Sequence, residues 1–147
     1  MTATENKSHG LFRPVSFGRE MTAPQRAFVD FLFGGFGYGL IEVIWRGRTH
    51  ISMVITGGVC YLLLRLIGMK MADRGILLRC AAGAVGITAT EFAVGCVVNL
   101  GLGLGVWDYS SMSFNLLGQV CLLYSVLWFL LCLPIFFVFG LNKKRRL

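Results

Sequence analysis

The sequence predicts an all-α integral membrane protein, with four transmembrane helices arranged as two antiparallel hairpins and both termini in the cytoplasm. Hydrophobic residues make up 56% of its 147 residues and charged residues only 14%, which is far from the composition of soluble globular domains. The mean hydropathy is +0.71. Four long apolar stretches alternate with polar ones, and each approaches or exceeds the roughly 20 residues that cross a bilayer as a helix.

Each apolar stretch is predicted to be helical, because open strands would leave backbone groups unpaired in lipid. The predicted helices span about 25–45, 51–69, 76–104 and 116–141, and together they form a membrane domain over residues 25–141. The short connections after the first and second helices favour antiparallel neighbours. Helices one and three are rich in glycine, which favours close helix packing over the alternative of a substrate pathway.

Basic residues near helix ends predict the orientation, because cytoplasmic loops carry an excess of Lys and Arg. The predicted outer side holds only Arg46 and Arg48. The predicted cytoplasmic side comprises the tail 1–24, the second connection and the tail 142–147, with Lys7, Arg13, Arg19, Arg26, Lys70, Arg74, Arg79, Lys143, Lys144, Arg145 and Arg146. The first 25 residues lack the apolar core of a signal peptide, so the first helix is expected to direct insertion.

The net charge of +7 predicts no nucleic-acid partner, because the positive residues lie at the ends of apolar runs and not on a face interleaved with aromatics. The expected partner is the lipid bilayer. No metal or cofactor is expected, since the cysteines lie in apolar segments without the spacing of metal ligands. They are interpreted as buried free thiols at Cys60, Cys80, Cys96, Cys121 and Cys132.

Intramembrane polar residues are predicted to collect in the outer half of the bundle. Glu91 falls near the middle of the third helix, where a carboxylate is costly unless it is paired, protonated or beside water, and is therefore a functional candidate. Glu91 and Asn99 share one helix face, and Asn115 and Gln119 are predicted to open the fourth helix. We predict a substrate-binding set of Glu42, Arg46, His50, Glu91, Asn99, Asp108, Asn115 and Gln119, and no catalytic residue.

Each of these residues also has a structural interpretation. Glu42 and Arg46 are four residues apart, as in a local ion pair on one helix face. His50 can be a hydrogen-bonding residue of the membrane rim, and Asn115 can cap the fourth helix. Trp45-Arg46 and Trp107-Asp108 are aromatic-then-charge pairs of opposite sign, which predicts a contact between Arg46 and Asp108 across the two hairpins.

Three motifs stand out in order along the chain: "GGFGYGLIEVIWRGRTHISM", "ITATEFAVGCVVNL" and "VWDYSSMSFNLLGQVCLLYSVLW". They resemble the signatures of a family of small bacterial membrane proteins, the putative ABC-transporter type IV permeases, which is related to the animal transmembrane protein 229 group. Ile51 and Ser113 depart from the family pattern, which usually has an aromatic at the first place and often Pro at the second. The resemblance adds a structural set of Trp45, Gly47, Thr49, Trp107, Tyr109 and Gly118 to the polar residues above.

The resemblance implies a multi-pass transporter subunit in the bacterial inner or plasma membrane. The one-sided cluster of polar residues over a glycine-rich bundle predicts that this subunit has an outward-facing polar pocket for an unidentified solute. The chain contains no P-loop, so an ABC component of this kind requires a separate ATPase subunit and self-association. Two alternatives stay open. One is a structural or accessory membrane protein. The other is a membrane enzyme acting on a lipid-linked substrate, with Glu91 or His50 as general base and Arg46 holding a phosphate.

Overall fold

A computed structural model describes residues 21–144, with side chains described as far as residue 140. The helices are α1 (Ala23–Arg46), α2 (Ile51–Lys70), α3 (Ile76–Gly95) and α4 (Leu122–Lys144). The predicted basic residues Lys7, Arg13, Arg19, Arg145 and Arg146 lie outside the described residues, as do the side chains of Lys143 and Lys144.

Four helical stretches are long and apolar enough to cross a membrane, which confirms the predicted number and character of the helices. They are Ala23–Arg46, Ile51–Lys70, Ile76–Gly101 and Leu122–Gly140. Large apolar side chains cover the outside of the bundle, such as Phe36 and Ile44, which are 69% and 77% exposed. An apolar exterior of this kind suits contact with lipid and not with water.

Glycines bring α1 and α2 into close contact. A Cβ on Gly35 would lie 2.6 Å from the carbonyl oxygen of Val54, and a Cβ on Gly58 would lie 2.6 Å from the ring of Phe31. Small residues at such positions let helix backbones approach closely, which is the packing role expected for the glycine-rich α1.

The second close helix contact is between α3 and α4. Cys80, Cys132 and Phe136 are fully buried there, and a Cβ on Gly83 would lie 2.8 Å from Cys132 Sγ. All five cysteines are free, as expected, and four of them are buried. The main hydrophobic core thus joins residues of α2, α3 and α4 to the buried Tyr38 of α1.

The third helix ends earlier than predicted. Regular α-helix stops at Gly95, and a π-helical segment, Cys96–Gly101, continues it. Gly103 and Gly105 then have φ values of +66° and +53°, a conformation that ends a helix and that glycine adopts without strain. The apolar pattern through residue 104 hid this end, because hydropathy does not register backbone conformation.

The predicted start of the fourth helix at residue 116 is wrong. Residues 115–121 form two short antiparallel strands, β1 (Asn115–Leu116) and β2 (Val120–Cys121), in which Asn115 pairs with Cys121. Positive φ values at Leu117 (52°) and Gly118 (69°) turn the chain between them. Asn115 and Gln119 therefore do not open α4, which begins at Leu122.

Candidate functional site

A tight corner joins α1 to α2 and fixes the position of residues 48–50. Gly47 has a φ of 72°, and its N–H donates to the carbonyl oxygen of Val43 at 2.9 Å. This is the left-handed cap that commonly ends a helix. His50 then caps α2, since its Nδ1 accepts a hydrogen bond from the Ser52 N–H at 3.3 Å.

Glu42 is the buried carboxylate of this corner, with an exposed fraction of 6%. Its Oε1 accepts a hydrogen bond from Arg46 Nη1 at 2.7 Å, and its Oε2 accepts one from the Thr49 hydroxyl at 2.8 Å. Both oxygens are thus occupied within the corner. The local ion pair between Glu42 and Arg46, which their i, i+4 spacing suggested, is therefore present.

Arg46 also connects the corner to the segment between α3 and α4. Its Nη2 donates to the carbonyl oxygen of Val106 at 2.7 Å. The predicted contact between Arg46 and Asp108 is wrong, because Arg46 is held by Glu42 and by this carbonyl group. Asp108 instead accepts hydrogen bonds from the hydroxyl and the backbone N–H of Ser110, and these hydrogen bonds lower the pKa of Asp108.

A polar cavity of about 210 Å³ lies between the corner and residues 104–106. Its lining carries two guanidinium groups and one carboxylate, so it has one net positive charge when His50 is neutral. The lining residues are Glu42, Arg46, Arg48, Thr49, His50, Leu104, Gly105 and Val106. Arg48 was missed as a site residue because its position at a helix end fitted a topology signal; its closeness to His50 in "WRGRTH" was the available clue.

Glu91 lies away from this cavity, in the core of the bundle, and is 2% exposed. Its Oε1 accepts a hydrogen bond from the Tyr38 hydroxyl at 2.5 Å, and its Oε2 accepts one from Trp128 Nε1–H at 2.8 Å. Neither partner was predicted from the sequence. Their signal was that each is an aromatic with a polar tip inside an apolar helix, and such tips take a partner when buried.

A second polar group, the amide cluster, consists of the half-buried Asn99 and the buried Gln119 and Trp107. The Asn99 amide nitrogen donates to Gln119 Oε1 at 2.8 Å and to the Trp107 carbonyl oxygen at 3.0 Å, and its oxygen accepts from the Val106 N–H at 2.7 Å. Trp107 Nε1–H donates to the Gln119 carbonyl oxygen at 2.8 Å. Gly95 makes room, since a Cβ there would lie 2.6 Å from Gln119 Oε1.

Asn115 holds the loop that precedes β1. Its amide nitrogen donates to the carbonyl oxygens of Ser110 and Met112 at 3.1 and 2.8 Å, and its oxygen accepts from the Gly118 N–H at 3.1 Å. The Tyr109 N–H donates to the Gly118 carbonyl oxygen at 2.7 Å. These contacts are internal to residues 109–118.

Aromatic contacts tie this loop to the helices. Tyr109 stacks on Tyr124 of α4 with ring centroids 4.6 Å apart. The Tyr124 hydroxyl accepts a hydrogen bond from Trp45 Nε1–H at 3.1 Å. Trp45 at the end of α1 is thereby linked to α4.

The structure divides the predicted substrate-binding set. Glu42, Arg46 and His50 line the polar cavity, whereas Glu91, Asn99, Asp108, Asn115 and Gln119 do not. A single pocket built from Glu42, Arg46, Glu91, Asn99 and Asp108 is therefore not formed. Within residues 21–144, no three His, Cys, Asp or Glu side chains converge where they could hold a metal ion.

Comparison with known proteins gives one family. The family model described as "Putative ABC-transporter type IV" matches residues 26–144, which include the polar cavity, helices α2 to α4 and all but the first three residues of α1. No curated protein and no solved structure shows significant similarity to the chain.

Proposed function

Because the chain belongs to the putative ABC-transporter type IV family, we propose that it is a multi-pass subunit of a membrane transporter that moves a small polar solute. The energy source is a separate ATPase subunit, since the chain has no P-loop of its own. Several copies of the chain are expected to associate, because its four helices are few for one half of a permease. The family membership and the four apolar helices support this function.

We further propose that the two helix pairs form antiparallel hairpins with both termini in the cytoplasm of a bacterial cell. The closest helix packing is between α1 and α2 and between α3 and α4, which supports the pairing. Lys70 and Arg74 lie at the connection between α2 and α3, and basic residues favour the cytoplasmic side. The polar cavity then opens on the outer side of the plasma membrane.

The polar cavity is the single observation that carries the solute-binding part of the proposal. It is open, polar and positively charged, in a bundle whose other described surfaces are mostly apolar. A pocket with a few converging polar groups is the usual form of a small-molecule site. The candidate solute-binding residues are therefore Glu42, Arg46 and His50 of the predicted set, with Arg48 added.

Growth of a deletion strain tests this function. The strain would be grown on arrays of nutrients and ions, and complemented with the wild type, with Arg48→Gln, or with the control Arg74→Gln. Arg74 is 64% exposed and lies at the opposite end of the bundle. We expect at least one solute-dependent defect that the wild type and Arg74→Gln restore and Arg48→Gln does not. A deletion without any solute-dependent phenotype would contradict the transport proposal.

A structural or accessory role is the second candidate, and one observation favours it. The polar groups of Asn99, Gln119, Asp108 and Asn115 all bond within the chain, as expected for groups that shape the 102–121 segment. The transporter role and the accessory role differ in whether they require the positive charge of Arg48. An accessory protein would need the folded segment but not the charge in the cavity, so Arg48→Gln would then behave as wild type.

A further inference from the structure

We propose that the polar cavity binds a phosphate group, held by the guanidinium group of Arg48 and the Nε2–H of His50. This inference deepens the proposed function, because it names the chemistry of the solute for the same cavity. It rests on the proposed function only for the biological role of the site, because phosphate binding can be measured without transport.

Arg48 supplies the charge that a bound phosphate requires. The one carboxylate of the cavity, Glu42, uses Oε1 for Arg46 and Oε2 for Thr49. Arg48 forms no ion pair within the described part of the chain. A guanidinium group presents five N–H donors in a planar fork that matches phosphate oxygens, so an Arg side chain at a cavity without a free carboxylate favours an anionic ligand.

His50 supplies a second donor of defined position. Its Nδ1 accepts a hydrogen bond from the Ser52 N–H, and a ring nitrogen that accepts cannot carry the proton in the neutral ring. When Nδ1 accepts from the Ser52 N–H and from the Ser52 hydroxyl, whose oxygen lies 2.8 Å away, the proton of neutral His50 is on Nε2. Because Nδ1 is fixed by the cap of α2, the ring is oriented and Nε2–H is the donor left for a ligand at the cavity that His50 lines.

The size of the cavity fits a small anion. About 210 Å³ is below the roughly 300–1,000 Å³ typical of drug-sized ligands. Gly105 forms part of the wall, and a Cβ there would meet nothing within 4 Å, so the approach is open on that side. Phosphate has enough oxygens to contact Arg48 and His50 while it faces the edge of the Arg46 guanidinium.

The phosphate group has two potential sources, a free phosphate compound and the headgroup of a phospholipid. Both present the same oxyanion to Arg48. They differ in that the lipid must reach the cavity from the bilayer, whereas the free compound must be bound in the absence of phospholipid. The experiment therefore needs one arm for each source.

In the first arm, inorganic phosphate is titrated into the full chain in a neutral detergent without phospholipid. Binding is followed by calorimetry at constant low ionic strength, because exposed charges are screened at high salt. The variants are Arg48→Gln and His50→Asn, whose short amide can still cap α2, with Arg74→Gln as the charge-matched control. In the second arm, native mass spectrometry counts anionic phospholipids retained by the same four proteins from vesicles of phosphatidylglycerol and phosphatidylcholine.

Saturable phosphate binding that weakens about tenfold or more in Arg48→Gln and in His50→Asn, but not in Arg74→Gln, supports the proposal with a free phosphate compound as the source. Retention of phosphatidylglycerol that only the two cavity variants reduce supports it with a lipid source. If Arg48→Gln and His50→Asn match the wild type in both arms, the proposal is overturned. The proposed transport function would survive that result, because it does not require phosphate as the solute. Phosphate binding without any transport phenotype would overturn the proposed function alone.

Discussion

The hydroxyl group of Tyr38 on α1 donates a hydrogen bond of 2.5 Å to Oε1 of Glu91 on α3. Trp128 on α4 donates to the other oxygen of Glu91 at 2.8 Å, and its ring stacks on that of Tyr38 with centroids 5.4 Å apart. One carboxylate thus joins three helices in the apolar core. Since the two donors satisfy both of its oxygens, this cluster gives Glu91 a structural role in helix packing.

Removing either donor should destabilise the bundle. Tyr38→Phe and Trp128→Phe each leave one buried carboxylate oxygen without a partner, which costs about 1–3 kcal/mol. The melting temperature in detergent measures the effect. Tyr61→Phe is the control, because the Tyr61 ring packs on Phe33 while its hydroxyl has no hydrogen-bond partner among residues 21–140. Equal melting temperatures for Tyr38→Phe and Tyr61→Phe would show that the Glu91 cluster does not hold the helices.

Asn99 should govern the order of the 102–121 segment. Asn99→Asp keeps the shape but replaces the amide donor with a carboxylate that faces two acceptor oxygens, those of Trp107 and Gln119. We expect a loss of about 2–4 kcal/mol, since unsatisfied charged groups cost more than neutral ones, and faster proteolysis within 102–121. Thr90→Ala is the control, because the Thr90 hydroxyl donates to the Gly86 carbonyl oxygen of its own helix and makes no hydrogen bond to the described 102–121 segment. Unchanged cleavage in Asn99→Asp would refute this role.

Gly118→Ala should destabilise the protein more than Gly105→Ala. Both glycines have left-handed backbones, with φ of 69° and 53°, and an alanine in that conformation costs about 1–2 kcal/mol. A Cβ at Gly118 would also lie 2.8 Å from Asp108 Oδ1 and 2.7 Å from Ser110 Oγ, whereas at Gly105 it would meet nothing within 4 Å. Thermal unfolding of the two variants compares them directly, and a larger loss for Gly105→Ala would contradict the loop packing.

Charge exchange should show coupling between residues 42 and 46 and none between residues 46 and 108. Glu42 and Arg46 form an ion pair at 2.7 Å, so the destabilisations of Glu42→Gln and Arg46→Gln should not add in the double variant. Arg46→Asp should not be rescued by Asp108→Arg, because Asp108 bonds to Ser110. Recovery of stability in that exchange would instead establish a direct contact between Arg46 and Asp108.

The sequence predicted the four membrane helices but not the segment between the last two. Length and hydropathy define a membrane span, because each helix satisfies its own backbone in lipid. The segment 102–121 depends on tertiary contacts, such as the hydrogen bond that the Val106 N–H donates to Asn99 Oδ1. Its turn also uses a positive φ at Leu117, which is rare for a residue of that type.

The sequence predicted the types of residue at the candidate site but not which of them lie together. The spacing of Glu42 and Arg46 identified their ion pair, because i, i+4 neighbours meet on any helix. Which distant groups they meet depends on the path of the 102–121 segment, and the Val106 carbonyl group that Arg46 contacts has no signature in the sequence. The partners of Glu91 were not predicted either, because the polar tips of Tyr38 and Trp128 signal that each takes a partner but not that both reach Glu91 from two other helices.

The most direct test of the proposed transporter subunit is native mass spectrometry of the tagged chain, gently extracted from the membranes of its own host. We expect a complex that contains more than one copy of the chain together with a nucleotide-binding subunit. The complex should be the same for Arg48→Gln, because that substitution changes the cavity and not the assembly. A wild-type chain that is isolated alone or only with itself, at stoichiometric yield and without any nucleotide-binding protein, would contradict the proposal.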